Sequence, residues 1–261
     1  MATIIAVANQ KGGVGKTTTA VNLAAALTQS KVRPNVLLID LDPQGNATTG
    51  IGVDKQALEY GIVDLLLGEA SLADAILDLE QANMRLIGAN GDLTGVEVIL
   101  AQETNGVYRL KEVLAPILSN FDYIVLDCAP SLNMLTLNAF AVATDLIIPV
   151  QCEYYALEGI SGLIETISTV KESTNPALNI MGVLRTMYDG RNTLAVQVSE
   201  NLTAHFEEKM FETIIPRNVR LAEAPSYGVP ITVYDAKSKG AEAYIELARE
   251  VIARSKKKRS A

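Results

Sequence analysis

Short aliphatic runs recur along the chain, separated by longer stretches in which apolar positions fall three and four residues apart. The short runs lie at residues 3–8, 36–39, 85–87, 123–126, 146–150, 180–184 and 212–215, and most are apolar at consecutive rather than alternating positions. Strands of that kind are buried on both faces. Helical spacing at residues 16–29, 107–118, 157–172, 194–206 and 241–254 predicts the crossovers between them. The alternation predicts an α/β fold in three layers, a mostly parallel, twisted sheet with helices on both faces. No Gly/Ser/Pro linker, repeat or low-complexity tract divides the chain. Residues 1–255 therefore read as one domain, followed over 256–261 by a basic tail that begins Lys256-Lys257-Lys258-Arg259.

Composition adds little to this picture; charge adds more. With 49% of its 261 residues hydrophobic, the chain can build one large core and is neither disordered nor fibrous. Its 22 basic and 30 acidic side chains give a net charge of −8, which argues against coating nucleic acid or anionic lipid through bulk charge. The average hides a split: residues 1–184 carry 9 basic and 20 acidic groups, net −11, and residues 185–261 carry 13 and 10, net +3. Cys128 and Cys152 lie far apart in apolar stretches and form no metal-ligand spacing, which fits a reducing compartment. The N-terminus enters its first strand without a basic leader segment, and no run approaches the roughly 18 apolar residues of a membrane span. A cytoplasmic location is expected.

The first strand leads into Asn9-Gln10-Lys11-Gly12-Gly13-Val14-Gly15-Lys16-Thr17-Thr18 and then into a helix. A strand, a glycine-rich turn and a helix N-terminus bring backbone N–H groups to one point, which suits a polyphosphate. Lys16 would neutralise charge on the β/γ-phosphates, and the Thr17 hydroxyl would ligate Mg²⁺. The common GxxxxGK[ST] pattern has Gly where Gln10 stands, so this loop is a variant with Lys11 as an additional cation. The second strand ends in Asp40-Leu41-Asp42-Pro43-Gln44-Gly45, and alternation sets both carboxylates on one side. They lie at the carboxyl edge of the sheet, where ligands of open α/β folds sit. A carboxylate there can order metal-bound water or orient an attacking water. A third strand ends at Asp127, the form that reaches Mg²⁺ through water. Together the three strand ends predict an ATP-hydrolysing site, with ATP and Mg²⁺ as its ligands.

The strings KGGVGKTT, LLIDLDPQGNAT, YIVLDCAPS, IIPVQCEYYALEG and IIPRNVRLAEAPS together resemble the ParA/Soj-type partition ATPases, within the deviant-Walker-A (MinD/ParA) class of P-loop proteins. The resemblance runs from Thr3 to about Arg254, and QCEYYALEG and PRNVRLAEAPS are specific to the partition branch. It implies the P-loop NTPase fold, with Gly12, Gly13, Val14, Gly15, Lys16, Thr17 and Thr18 around the nucleotide. Lys11 would contact the phosphates bound by the other protomer of an ATP-sandwich homodimer, and Gly12 would lie where the two protomers pack most closely. Asp42 would orient the hydrolytic water, with Asp40 nearer the metal shell, and Pro216 and Asn218 would contact adenine. Residues 29–35 depart from the family's usual short glycine-containing turn. Slow ATP turnover, stimulated by a centromere-bound ParB-type partner and by DNA, would drive chromosome or plasmid segregation on the nucleoid.

Members of this class act on different surfaces, so the target must be sought elsewhere in the chain. Arg191, Arg217, Arg220, Lys237 and Lys239 fall on loops or helix starts of the basic third. Arg191 and Arg220 match positions resembling the family's DNA-contacting arginines. A single arginine is more often a solvated charge, so the matched motif is what carries the expectation of non-specific DNA binding. A MinD-type membrane helix would set large apolar residues opposite a basic face. Residues 245–254 instead include Glu246 and Glu250, and their aliphatic spacing suits core packing, so no membrane partner is expected. Both cysteines read as small buried side chains, His205 as structural or exposed, and Tyr154-Tyr155 as a packed pair. The few residues before the first strand leave no room for a helix-turn-helix, so operator-specific binding is not expected.

Overall fold

The computed structural model describes residues 2–260, with side chains through Lys258. The strands are β1 (Thr3–Val7), β2 (Val36–Leu41), β3 (Ile76–Leu79), β4 (Met84–Ile87), β5 (Tyr123–Cys128), β6 (Asp145–Gln151), β7 (Asn179–Tyr188) and β8 (Met210–Pro216). They form one sheet in the order β3-β4-β2-β5-β1-β6-β7-β8, parallel throughout except for β3 at one edge. The helices are α1 (Lys16–Thr28), α2 (Asn46–Gly50), α3 (Ile62–Leu67), α4 (Leu72–Ala75), α5 (Leu93–Gln102) and α6 (Arg109–Leu114), then α7 (Met134–Val142), α8 (Ala156–Ser173), α9 (Thr193–Phe206), α10 (Val219–Glu223), α11 (Ile231–Tyr234) and α12 (Lys239–Ser260). The expected three-layer α/β fold is the one observed.

Consecutive apolar strand residues feed two separate cores. Along β1, Ile4 and Ala6 pack to one side and Ile5 and Val7 to the other; along β2, Leu37 and Ile39 oppose Val36 and Leu38. One core is closed by α1, α11 and α12, the other by α3 and α5 to α9. Full burial of each such aliphatic contributes roughly 1.5–3 kcal/mol, so the central strands form a stiff base for whatever their ends carry. Because β1, β2, β5, β6, β7 and β8 run parallel, their carboxyl ends share one edge.

Three departures from the sequence expectation have physical causes. The single helix expected over 107–118 is α6 flanked by 3₁₀ turns, the second of which contains Pro116, which lacks a backbone donor. The edge strand β3 escapes the apolar-run signal because it is half exposed and contains Asp78, which pairs with Arg85. The last helix does not stop at residue 254 with a loose basic tail after it. It continues to Ser260, and the Lys258 ammonium reaches Thr144 O at 2.8 Å and the buried Asp145 carboxylate at 3.1 Å. Of that tail, Ala261 and the side chains of Arg259 and Ser260 lie outside the described residues.

Candidate functional site

The loop between β1 and α1 is fastened at its start by Asn9, whose amide donates to Pro149 O (2.7 Å) while its Oδ1 accepts from Lys11 N (3.0 Å). Beyond it, Gly13 (φ 74°) and Gly15 (φ 87°) adopt left-handed conformations that other residues reach only with strain. Gly15 is the N-cap of α1 and starts the helix at Lys16. The Lys16 ammonium is buried and donates to Lys11 O at 3.0 Å. Burial lowers its pKa, and the nearby Asp127, Cys128 and Asp42 act in the opposite direction. Thr17 and Thr18 follow in the first turn, half-buried.

At the adjoining strand ends the three aspartates separate. Asp40 is fully buried, and its carboxylate accepts from Asp42 N (3.1 Å), Thr48 N (2.9 Å) and the Thr48 hydroxyl (2.7 Å). Burial nevertheless pushes its pKa up to about 6. These bonds tie Asp40, the residue expected nearer the metal shell, to the start of α2. Asp42, just past β2, accepts from Gln44 N at 2.9 Å. Asp127, next to last in β5, has both carboxylate oxygens buried and without a hydrogen-bond partner. Burial raises its pKa well above the usual range and Asp40 adds to the rise, while Thr17 offsets part of it without completing a hydrogen bond.

A fully buried carboxylate with two unpartnered oxygens is costly unless a cation or ordered water meets it. Beside Thr17, Lys16 and a phosphate loop, that vacancy of partners fits a hydrated Mg²⁺. Among the described residues no group of three His, Cys, Asp or Glu could cage a metal. Mg²⁺ commonly keeps several waters and is bound through one or two carboxylates together with substrate phosphates, which a site of this make-up suits.

Lys11 ion-pairs with Glu153 at 2.6 Å, both side chains partly exposed. A Cβ added at Gly12 would meet nothing within 4 Å, so nothing in the folded chain itself demands glycine there. Pro216 ends β8 opposite Tyr188, and Asn218 caps α10 by accepting from Arg220 N at 2.9 Å. The basic residues leave the same carboxyl edge, from β7 and β8. Arg191 forks onto Asp189 (2.9 and 2.7 Å), which holds the Asp189 carboxyl down at about 2, and Arg217 adds to that field. Arg220 pairs with Glu223 (2.8 Å) and Asp235 (3.6 Å), the latter in the loop that leads to Lys237 and Lys239.

The sequence reading missed Thr48, Glu153 and Thr186. Thr48 lies inside a motif already singled out, but its role emerges only from the fold, where its hydroxyl also accepts from Ala89 N at 2.9 Å. Thr186 carries no sequence signal; its hydroxyl donates to Val14 O across 172 positions.

Comparison with known proteins agrees with this geometry. Residues 2–180 match the family described as "AAA domain". The chain is 49% identical to the chromosome partitioning protein ParA of Caulobacter vibrioides, covering 97% of this chain and 95% of the relative. It belongs to the ParA/Soj family of chromosome-partitioning ATPases. Another relative, the sporulation initiation inhibitor protein Soj of Bacillus subtilis, is 49% identical over 97% of this chain and 99% of its own length. Among solved structures, a Mycobacterium smegmatis protein described as cobyrinic acid a,c-diamide synthase with bound ADP and magnesium superposes with a TM-score of 0.86 at 39% identity, covering 98% of this chain and 96% of that one. No helix among the described residues is long and apolar enough to cross a membrane.

Proposed function

We propose that this ParA/Soj-family chain hydrolyses ATP with Mg²⁺, binds DNA without sequence preference as an ATP-dependent homodimer, and leaves the DNA when the nucleotide is hydrolysed. The observation that carries this reading is that one sheet edge holds both a buried, unpartnered Asp127 beside a phosphate loop and a run of basic loops. Lys16 and the loop amides would bind the phosphates, and Thr17 and Asp127 would hold Mg²⁺, which would supply charge neutralisation at the β/γ-phosphates. Asp42, fixed by Gln44 N–H, orients the attacking water. Pro216 and Asn218 lie on the base side of the site. Asp40 contributes by holding α2, and through it the Asp42 turn.

Two features favour assembly by pairs. The Lys11–Glu153 pair is solvent-exposed, and such pairs contribute at most about 1 kcal/mol, so Lys11 is released readily toward a partner's phosphates. Gly12 is free of intramolecular demand, which suits a position reserved for close approach of a second copy. Arg191 and Arg220 are held by exposed carboxylates that DNA phosphates can replace at little cost. Arg217, Lys237 and Lys239 extend the same surface. A ParB-type centromere-binding protein stimulates turnover in this reading, and the protein works in the cytoplasm on the nucleoid.

An amide-transfer activity, as the name of the Mycobacterium smegmatis neighbour suggests for that protein, finds no support in the thiols here. A cysteine that acts as a nucleophile needs its thiolate, which a lowered pKa or an adjacent base supplies. Cys128 and Cys152 are buried, and burial raises both of their pKa values.

The test is Asp42→Ala: this variant should bind ATP, dimerise and remain on DNA through a wash that releases the wild type. Rapid ATP hydrolysis by the variant would refute the role given to Asp42. Gly12→Val serves as its counterpart, expected to keep the wild-type melting temperature and to stay monomeric with ATP.

A further inference from the structure

The phosphate loop is tied down at its far end by a residue that belongs to no nucleotide motif. Thr186, near the end of β7 and 2% exposed, donates its hydroxyl proton to Val14 O at 2.7 Å. Val14 stands between Gly13 and Gly15, both left-handed. Glycine crosses between positive and negative φ at little cost, so although the Val14 side chain is buried, the two glycines leave the peptide groups on either side of it free to rotate. Something outside the loop must hold them. The Thr186 methyl and Cβ also lie 3.9 Å from where a Gly15 side chain would begin, so the whole residue backs this turn.

In a trans peptide the N–H points opposite to the C=O. Holding the Val14 carbonyl toward β7 therefore aims the Gly15 N–H away from β7. We propose that Thr186 is a positioning residue of the nucleotide site: by pinning the Val14 carbonyl it turns the Gly15 N–H into the phosphate cradle. The inference rests on the reading that this loop binds ATP. It assigns the two ends of the loop to two strands, with β6 holding the start through Asn9 and Pro149 and β7 holding the end through Thr186. The same strand end also receives the base-side segment, since Arg217 N donates to Tyr188 O at 3.1 Å. Thr186 thus lies between the phosphate cradle and residues 216–218.

Thr186→Val keeps the shape and removes the hydroxyl; Thr186→Ser restores it. The affinity of the full chain for ATP, ADP and inorganic tripolyphosphate would be measured by calorimetry, with kcat and melting temperature alongside. Expected for Thr186→Val is a loss of about tenfold for all three ligands, including the one without a base, with kcat at saturating ATP within about twofold. Thr186→Ser should return affinity to the wild-type value. Wild-type affinity in Thr186→Val overturns the proposal, as does a loss that serine fails to restore. A loss for ATP and ADP with tripolyphosphate unaffected overturns it too, because the contact would then act on the base side. Absence of ATP binding by the wild-type chain, with Lys16→Ala indistinguishable from it, would instead remove the underlying reading.

Discussion

Asp40 and Asp127 are direct partners in the β2–β5 register, yet their side chains have opposite fates. Asp40 accepts three hydrogen bonds from Thr48 and the Asp42 amide, whereas neither Asp127 oxygen has a hydrogen-bond partner. Strand-end position made both legible in the sequence as carboxylates at the ligand edge, but it could not separate them. The separation depends on Thr48, whose hydroxyl bridges Asp40 and Ala89 N, a contact 41 positions away. Thr186 was illegible for the same reason, because hydrogen bonds between distant segments leave no local pattern. Thr48→Val should leave the Asp40 carboxylate and the Ala89 amide short of a partner and cost ~2 kcal/mol. In thermal unfolding that is a drop of roughly 5 °C, with ATP turnover falling as the Asp42 turn loosens. A variant that melts with the wild type would show that Thr48 does not hold this corner.

At the scale of elements, the fold was legible where the pattern was strongly periodic or continuously apolar, as in β1, β2, β5, β6 and α8. It was illegible for α7, which is buried nearly all round and so shows no amphipathic period. The end of α12 misled for a different reason: a run of lysines looks like a solvated tail until Asp145 is seen beside it. This helix also seals the open edge of the sheet. Glu250 accepts from the Glu212 and Thr213 amides of β8 (both 3.0 Å), and Arg254 donates to Met181 O while lying 4.4 Å over the Phe211 ring. Burial alone would raise the Glu250 pKa, but those amides, the Thr213 hydroxyl and Arg254 together hold it below its usual 4.5. A depressed carboxyl pKa stabilises the fold above the unfolded value, and the contribution fades as pH falls through the folded one. Glu250→Ala should therefore cost ~2 kcal/mol at pH 7, with the deficit shrinking below about pH 4.5. Parallel melting curves across pH decide this; a deficit independent of pH would mean that packing, not charge, is what Glu250 supplies.

For the whole molecule, the net charge of −8 gives the wrong impression of what the protein can touch. The acidic excess belongs to residues 1–184, while Arg191, Arg217 and Arg220 follow the carboxyl ends of β7 and β8, at the same sheet edge as the phosphate loop; Arg254 and Lys258 lie toward the opposite edge, beside Met181 and Asp145. Arg191 and Arg220 are each balanced by neighbouring carboxylates, so one copy presents little net attraction to DNA there. Two copies joined across their nucleotide edges would place two such surfaces side by side, which makes binding conditional on ATP and releasable after hydrolysis. The most direct test is retention on immobilised, non-specific duplex DNA with ATP, ADP or no nucleotide, across a salt series. Retention is expected with ATP alone, falling steeply as salt rises, and lost in Arg191→Glu and Arg220→Glu while ATP binding persists. Equal retention with ADP or without nucleotide, or full retention in both arginine variants, would contradict it.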